Sequence, residues 1–398
     1  MIPLIPSRPH PLTPSRPHPL TRAPLLLALL LLPMPACRCP ETAPSECKLT
    51  ATAHTLPAPL GSPRLLSMSR QGDTTAATWI DGEGARANVT IAYLDDRGRL
   101  RGKTTHVGTG GPPLMAAVAT RQNRVAVAWM AGTPKRANIY GVLINAGKRT
   151  RVEVANIGAR TDPGVAFVGG EPWVTWAADK AIWARKLGEG APPAVRLVAP
   201  DQDAFWPVMV SLDQNVVLTY ITARSGFDLR LVRAAKVGAL ARSTTRRVPQ
   251  KLHLRQVEPA VASDGADTVL AWAQILPTAV PGKFTDPHIQ MARLGAGGKL
   301  IYYESTLKGL GPSVAPGADG AVAVAWVRPV TDKQARVRYG LVSATTGESL
   351  ALHVGVADPA NGRPAMVRVP GGHLVVWIRG AAKPAVREVR AVKVRCTF

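Results

Sequence analysis

The stretch "DGAVAVAWVRP", residues 319–329, most constrains what this chain can fold into, because close copies stand elsewhere as "NRVAVAWMAG", "GEPWVTWAAD" and "GGHLVVWIRG". Each copy is a turn, a run of alternating small and branched apolar residues, an aromatic and a polar break. Aligning the aromatics gives seven anchors: Trp79, Trp129, Trp176, Tyr220, Trp272, Trp326 and Trp377, spaced 44–54 residues apart. A proline precedes each by 13–16 residues: Pro63, Pro113, Pro163, Pro207, Pro259, Pro312 and Pro364. Six of the nine tryptophans occupy this register, so a repeat architecture takes precedence over a division of the 398 residues into ordinary domains.

Every unit has the same internal order. Proline opens a short strand ("PLMAAVAT", "PAVASD", "PAMVRV"), then come a turn and the aromatic-ended strand. A loop leads to a third strand ("NIYGVLIN", "DLRLVRAA", "HIQMARLG"), and a turn to a fourth, more polar one ("TRVEVANI", "LIYYEST"). The 36 glycines and 36 prolines fall between apolar runs, and no long stretch shows helical spacing. Four strands in about 50 residues, repeated seven times, define an all-β, seven-bladed β-propeller of four-stranded antiparallel blades. One blade cannot cover both of its faces, so the recurring aromatic is expected to fill the space between neighbours. Unit four, anchored by Tyr220, is the unit most open to irregular folding.

Blades begin near 62, 112, 162, 206, 258, 311 and 363 within a propeller spanning 48–398. The last unit ends at "CTF" with no room for a fourth strand, whereas residues 48–56, "KLTATAHTL", alternate like one. An N-terminal strand that closes the ring from outside is the expected solution. It brings Cys47 opposite Cys396, and a disulfide is expected there. Pairings of Cys39 with Cys396 or with Cys37 remain open. Residues 1–36 read as a leader: a tandem "PSRPHPLT", then Arg22 and an apolar stretch far short of the about 20 residues needed to span a bilayer. Residues 37–47 form a short tether.

The end of the leader, Ala36 before Cys37, resembles a bacterial lipobox, although Met34 and Pro35 depart from the usual pattern. The resemblance implies lipidation at Cys37 and, with Arg38 next, an outer-membrane lipoprotein on the periplasmic or surface face; secretion is the alternative. The repeat itself resembles secreted bacterial seven-bladed propellers of the broadly sialidase-like group. That implies architecture only. No tryptophan is followed by aspartate as in WD repeats, and no Asp-box or catalytic motif matches.

No nucleotide-binding loop, zinc-protease helix or nucleophile elbow occurs. The histidines are scattered, and no cofactor or metal site is expected. Propellers bind ligands where loops gather at one end of the channel. The residues just before the prolines should ring that mouth: Ser62, Pro112, Asp162, Trp206, Glu258, Gly311 and Arg363. Asp162, Trp206 and Glu258 come from consecutive blades, with Arg160, Asp201, Asp203 and Phe205 beside them. The stretch Ala273–His288 reads as a long loop that offers Lys283, Phe284 and His288.

The formal net charge is +23. The basic residues are spread through the chain and form no stripe, which favours anionic partners over nucleic acid reading. The first functional expectation is therefore a monomeric, non-catalytic envelope or surface binding protein. Its partner would be an anionic glycan, lipopolysaccharide or an envelope protein, with membrane contact by a lipid anchor only. The alternatives are a glycan-active hydrolase with carboxylates at the mouth, and a structural scaffold. Facing carboxylates in the mouth would favour the hydrolase; a smooth basic mouth would favour binding.

Overall fold

The computed structural model describes residues 46–397 apart from 51, 109, 134–135, 156–161, 213, 225, 250–254, 264–267, 278–283, 296, 304, 306, 318–320, 332–333, 344–348, 360–361 and 381–386. These residues form a seven-bladed β-propeller. The inner strands of blades one to seven are Arg64–Gln71, Pro113–Arg121, Gly164–Val168, Ala204–Leu212, Arg255–Ser263, Leu310–Pro316 and Ala365–Val369. The second strands, in the same order, are Thr74–Asp81, Arg124–Thr133, Glu171–Ala178, Asn215–Thr222, Thr268–Pro277, Val322–Thr331 and Gly372–Arg379. Blades one to six each continue through a third and a fourth antiparallel strand in plain meander order. Blade four is as regular as the rest. Among the described residues the only helices are short 3-10 turns, and none is long and apolar enough to cross a membrane.

The repeated text has a direct packing cause. In blade six, Val322, Val324 and Trp326 pack against blade five, while Ala323 and Ala325 lie toward blade seven. Both faces of the second strand are covered, so it alternates large with small instead of apolar with polar. Seven buried clusters fill the seven gaps between blades, and each holds one anchor aromatic from the later blade of the pair. All seven anchors are at most 2% exposed. Tyr220 does in blade four what tryptophan does elsewhere.

The ring closes at blade seven. Glu46–Leu49 and His54–Leu56 both pair antiparallel with the C-terminal strand Glu388–Thr397. The expected continuous strand over 48–56 is thus two shorter pieces. The register shifts between the two pieces, and Thr50 bonds the Lys393 carbonyl there through both its N–H and its hydroxyl. Cys47 is disulfide-bonded and stands directly opposite Cys396 in register. Cys37 and Cys39 lie outside the described residues.

Part of the positive charge is held inside the ring. Arginine side chains donate to backbone carbonyls of other blades: Arg64 to Pro113 (3.2 Å), Arg124 to Gly170 (2.9 Å), Arg185 to Val154 (3.0 Å) and Arg363 to Pro259 (3.3 Å). A five-donor guanidinium suits such ties, because it can satisfy a strand-end carbonyl and still meet water.

One cross-blade tie titrates. His373, 5% exposed, accepts from the Tyr339 hydroxyl at Nδ1 (2.9 Å) and donates from Nε2 to the Pro316 carbonyl (3.1 Å). Those partners assign a neutral ring with its proton on Nε2. Burial, opposed by the Pro316 hydrogen bond and assisted by the Arg368 charge, lowers its pKa from 6.5 to about 4. The unfolded chain therefore binds a proton that the folded chain refuses. Stability is full above pH 6.5 and is lost as pH falls toward 4, by roughly 3 kcal/mol from this group. Urea unfolding across that range should show this slope in the wild type and a shallower one in His373→Gln. Equal slopes would mean another group carries it.

Candidate active site at the channel mouth

The inner strands of blades one, four, five and six share one irregularity. Two residues oppose a single residue of the second strand, and that single residue is the anchor aromatic. The first residue of each bulge is left-handed: Leu65 (φ 55°), Trp206 (φ 50°), Glu258 (φ 53°) and Gly311 (φ 57°). Glycine adopts this conformation freely; leucine, tryptophan and glutamate do so at a cost. The bulge turns that residue out of the ladder at the end where the inner strands begin. Counting back from the anchors, the ring in blade order is Leu65, Met115, Asp162, Trp206, Glu258, Gly311 and Arg363.

Five of these seven are the residues the proline rule names, and two are not. Ser62 and Pro112 were expected in blades one and two. There the proline stands 16 residues before the aromatic instead of 13 or 14, which places the residue before it three residues upstream of the ring position. One side of the mouth is therefore apolar, and the arc from Asp162 to Arg363 carries the chemistry.

Asp162, Glu258 and Arg363 stand in blades three, five and seven and feel one another's charges. Solvent reaches Asp162 and Arg363 along the channel, but the blades crowd both from the sides. For Asp162 this partial desolvation dominates and raises the carboxyl above its ordinary value; Arg363 and a backbone hydrogen bond pull it down, and Glu258 pushes it up. For Arg363 burial lowers the pKa, and Glu258 and then Asp162 oppose that. An arginine holds its charge regardless.

Glu258 is aimed by its neighbour. Its Oε2 accepts the Gly311 N–H at 2.6 Å. Arg363 reaches back to the carbonyl of Pro259. Gly311 holds this arrangement together: its φ is positive, and a Cβ there would meet Arg363 Cβ at 3.3 Å. We expect Gly311→Ala to strain the bulge and displace both charged side chains, with a loss of about 1–3 kcal/mol. Thermal unfolding of the variant checks this; an unchanged midpoint would mean the bulge relaxes freely.

The other expected residues divide. Phe205 lies beside Trp206 with ring centroids 5.2 Å apart. Asp203 (φ 47°) ends the 3-10 turn Pro200–Gln202, and its carbonyl accepts from Ala223 N–H. Asp201 forms an exposed ion pair with Arg224 (3.2 Å), a surface tie of small energetic value. His288 is in the third strand of blade five, two strands outward from the channel, where it bridges Lys308. The expected loop over 273–288 is mostly hairpin, because the ladder continues to the pair Pro277–Phe284. Arg160 and Lys283 lie outside the described residues, and of Phe284 only the backbone is described.

Two mouth residues escape sequence reading, Phe227 and Arg255. The Arg255 guanidinium sits 4.9 Å from the Phe227 ring centroid, and Phe227 packs on Phe205 at 5.6 Å. Neither neighbours an anchor or a proline, so the repeat does not point to them. Among the described residues no cluster of three metal-ligating side chains occurs. A separate cleft of about 460 Å³ between blades one and two, lined by Tyr93, Arg101 and Arg149, lies at the hairpin turns of the opposite end.

No family model and no curated relative matches the chain. Solved structures resemble it in fold. A polysaccharide lyase, Uly1, is 9% identical with a TM-score of 0.54, covering 86% of this chain and 91% of its own. A protein of unknown function from Dyadobacter fermentans is 10% identical with a TM-score of 0.54, covering 88% and 100%. A xylan β-1,4-xylosidase from Bacillus halodurans is 12% identical with a TM-score of 0.41, covering 86% and 96%. The expectation of a non-catalytic binding protein is corrected here. The mouth is not a smooth basic surface but sets two carboxylates around an arginine, and the fold resembles that of the polysaccharide lyase Uly1. The glycan-active alternative fits better.

Proposed function

We propose that this propeller is a glycan-active hydrolase whose active site is the channel mouth, with Asp162 as general acid and Glu258 as general base. The carrying observation is the placement of two carboxylates of unlike surroundings on one ring. Asp162 is pushed toward its protonated form by its crowded site. Glu258 is held through one oxygen by the Gly311 N–H. Unlike environments for two acids are how acid and base roles separate.

The chemistry then balances simply. Asp162 gives its proton to the glycosidic oxygen as the bond from that oxygen to the anomeric carbon breaks. Glu258 takes a proton from a water whose oxygen bonds to that carbon. Arg363 steadies the charge that shifts between the two acids. The likeness to a polysaccharide lyase supports a glycan as substrate. The test is release of new reducing ends by the mature domain from a panel of neutral and acidic polysaccharides. Release from at least one member is expected; folded protein that releases none from a broad panel overturns the proposal.

The leader supports export, and Ala36-Cys37 supports a lipid anchor on the outer membrane. Labelled fatty acid should enter the protein in cells and be lost in Cys37→Ser. Incorporation into that variant would mean that the lipid is carried elsewhere, and none into the wild type would argue for plain secretion.

A further inference from the structure

We infer that the two mouth loops of blade four form a stacking subsite for an acidic sugar unit, with Phe227 and Trp206 under the ring and Arg255 on its carboxylate. This rests on the proposed hydrolase and names its substrate class: a uronate-bearing glycan.

Three partly exposed aromatics, Phe205, Trp206 and Phe227, pack edge to face in one cluster, in a protein that is only 5% aromatic. Two of them sit on left-handed backbone, Trp206 at φ 50° and Phe227 at φ 69°. Bulky residues persist there only where their surroundings hold them. Those surroundings are unusually firm. The fully buried Gln256 binds the Phe227 carbonyl through its backbone N–H, and its side chain accepts the Leu229 N–H and donates to Pro249. The equally buried Asp228 is paired with Arg230 (3.1 Å) and Arg247 (2.9 Å). A buried amide and a buried aspartate paired with two arginines thus lock the loop tip that carries the half-buried Phe227. All three aromatics rest on the core between blades four and five, whose anchor is Trp272, and stay partly exposed above it.

Arg255 supplies the charge preference. It is exposed, it stacks on Phe227, and among the described residues no carboxylate pairs with it. A guanidinium held flat on an aromatic keeps its N–H edge free for a planar carboxylate. The subsite adjoins Glu258, three residues along the same inner strand. A pyranose stacked there places its neighbour over the paired acids.

The test uses tetrasaccharides of galacturonate, glucuronate or mannuronate and their carboxyl-reduced neutral forms, with binding measured by calorimetry. Glu258→Gln serves as background so that cleavage is slow during the titration. At least one acidic tetrasaccharide should bind, and its neutral form should bind about tenfold more weakly. Arg255→Gln should weaken the acidic ligand about tenfold and leave the neutral one unchanged. Phe227→Leu should weaken both several-fold. Thermal midpoints identify any variant that misfolds. The inference is overturned if no acidic member binds, if acidic and neutral forms bind alike, or if folded Arg255→Gln and Phe227→Leu bind as the wild type does. Binding with this pattern but no turnover in the wild type would remove the hydrolase and leave the subsite. Turnover with KM indifferent to both variants would do the reverse.

Discussion

Asp162→Asn and Glu258→Gln are each expected to lower glycan turnover by a factor of roughly 10²–10⁴ and to move KM only a few-fold. Each removes a proton-transfer group and keeps the shape of the mouth. The pH profile separates the roles. Activity needs Asp162 protonated, so it falls as pH rises through the raised Asp162 pKa. Arg363 pulls that pKa down. Removing its charge in Arg363→Gln should therefore shift the alkaline limb to higher pH. Asp162→Asn should lose that limb. Variants that turn over like the wild type, or an alkaline limb that moves down in Arg363→Gln, would sink the assignment.

Opening the Cys47 disulfide is the second large effect expected. Its register partner is Cys396 at the far end of the chain. The closed loop spans nearly the whole propeller. In the chain-entropy model such a bridge stabilises by roughly 5–6 kcal/mol before any strain is subtracted. It also holds the two short closing strands, which cover the edge of blade seven. Cys47→Ser, Cys396→Ser and reductant should each lower the urea midpoint by a similar amount. For comparison, Trp272→Ala, which empties one gap between blades, should cost about 3–5 kcal/mol. A reduced protein as stable as the oxidised one would mean that strand pairing alone closes the ring.

The fold was legible because every blade solves the same packing problem with the same side chain. Trp326 and Trp377 each reach the preceding blade, and in blade six Ala323 and Ala325 let the next blade approach. Ring closure was legible from the missing fourth strand and from Cys47. The site was legible in part. Asp162, Glu258 and Arg363 precede prolines in regular register, so the repeat itself points to them. Leu65 and Met115 escaped because their prolines sit three residues early. Phe227 and Arg255 escaped for another reason: their value comes from a loop tip and a strand end meeting across two blades, and no local pattern records that. The excess of arginine suggested a diffuse field for anionic partners, yet several arginines tie carbonyls within the ring. Charge counts cannot tell a free guanidinium from one spent on the fold.

The central claim is that the paired acids hydrolyse a glycan. The most direct measurement is cleavage of a susceptible glycan in water enriched in heavy oxygen, with mass analysis of both product ends. Hydrolysis by Asp162 and Glu258 predicts one labelled oxygen at each new reducing end and no unsaturated sugar. Unlabelled products with an unsaturated end would show elimination instead, and would contradict the roles assigned to both carboxylates.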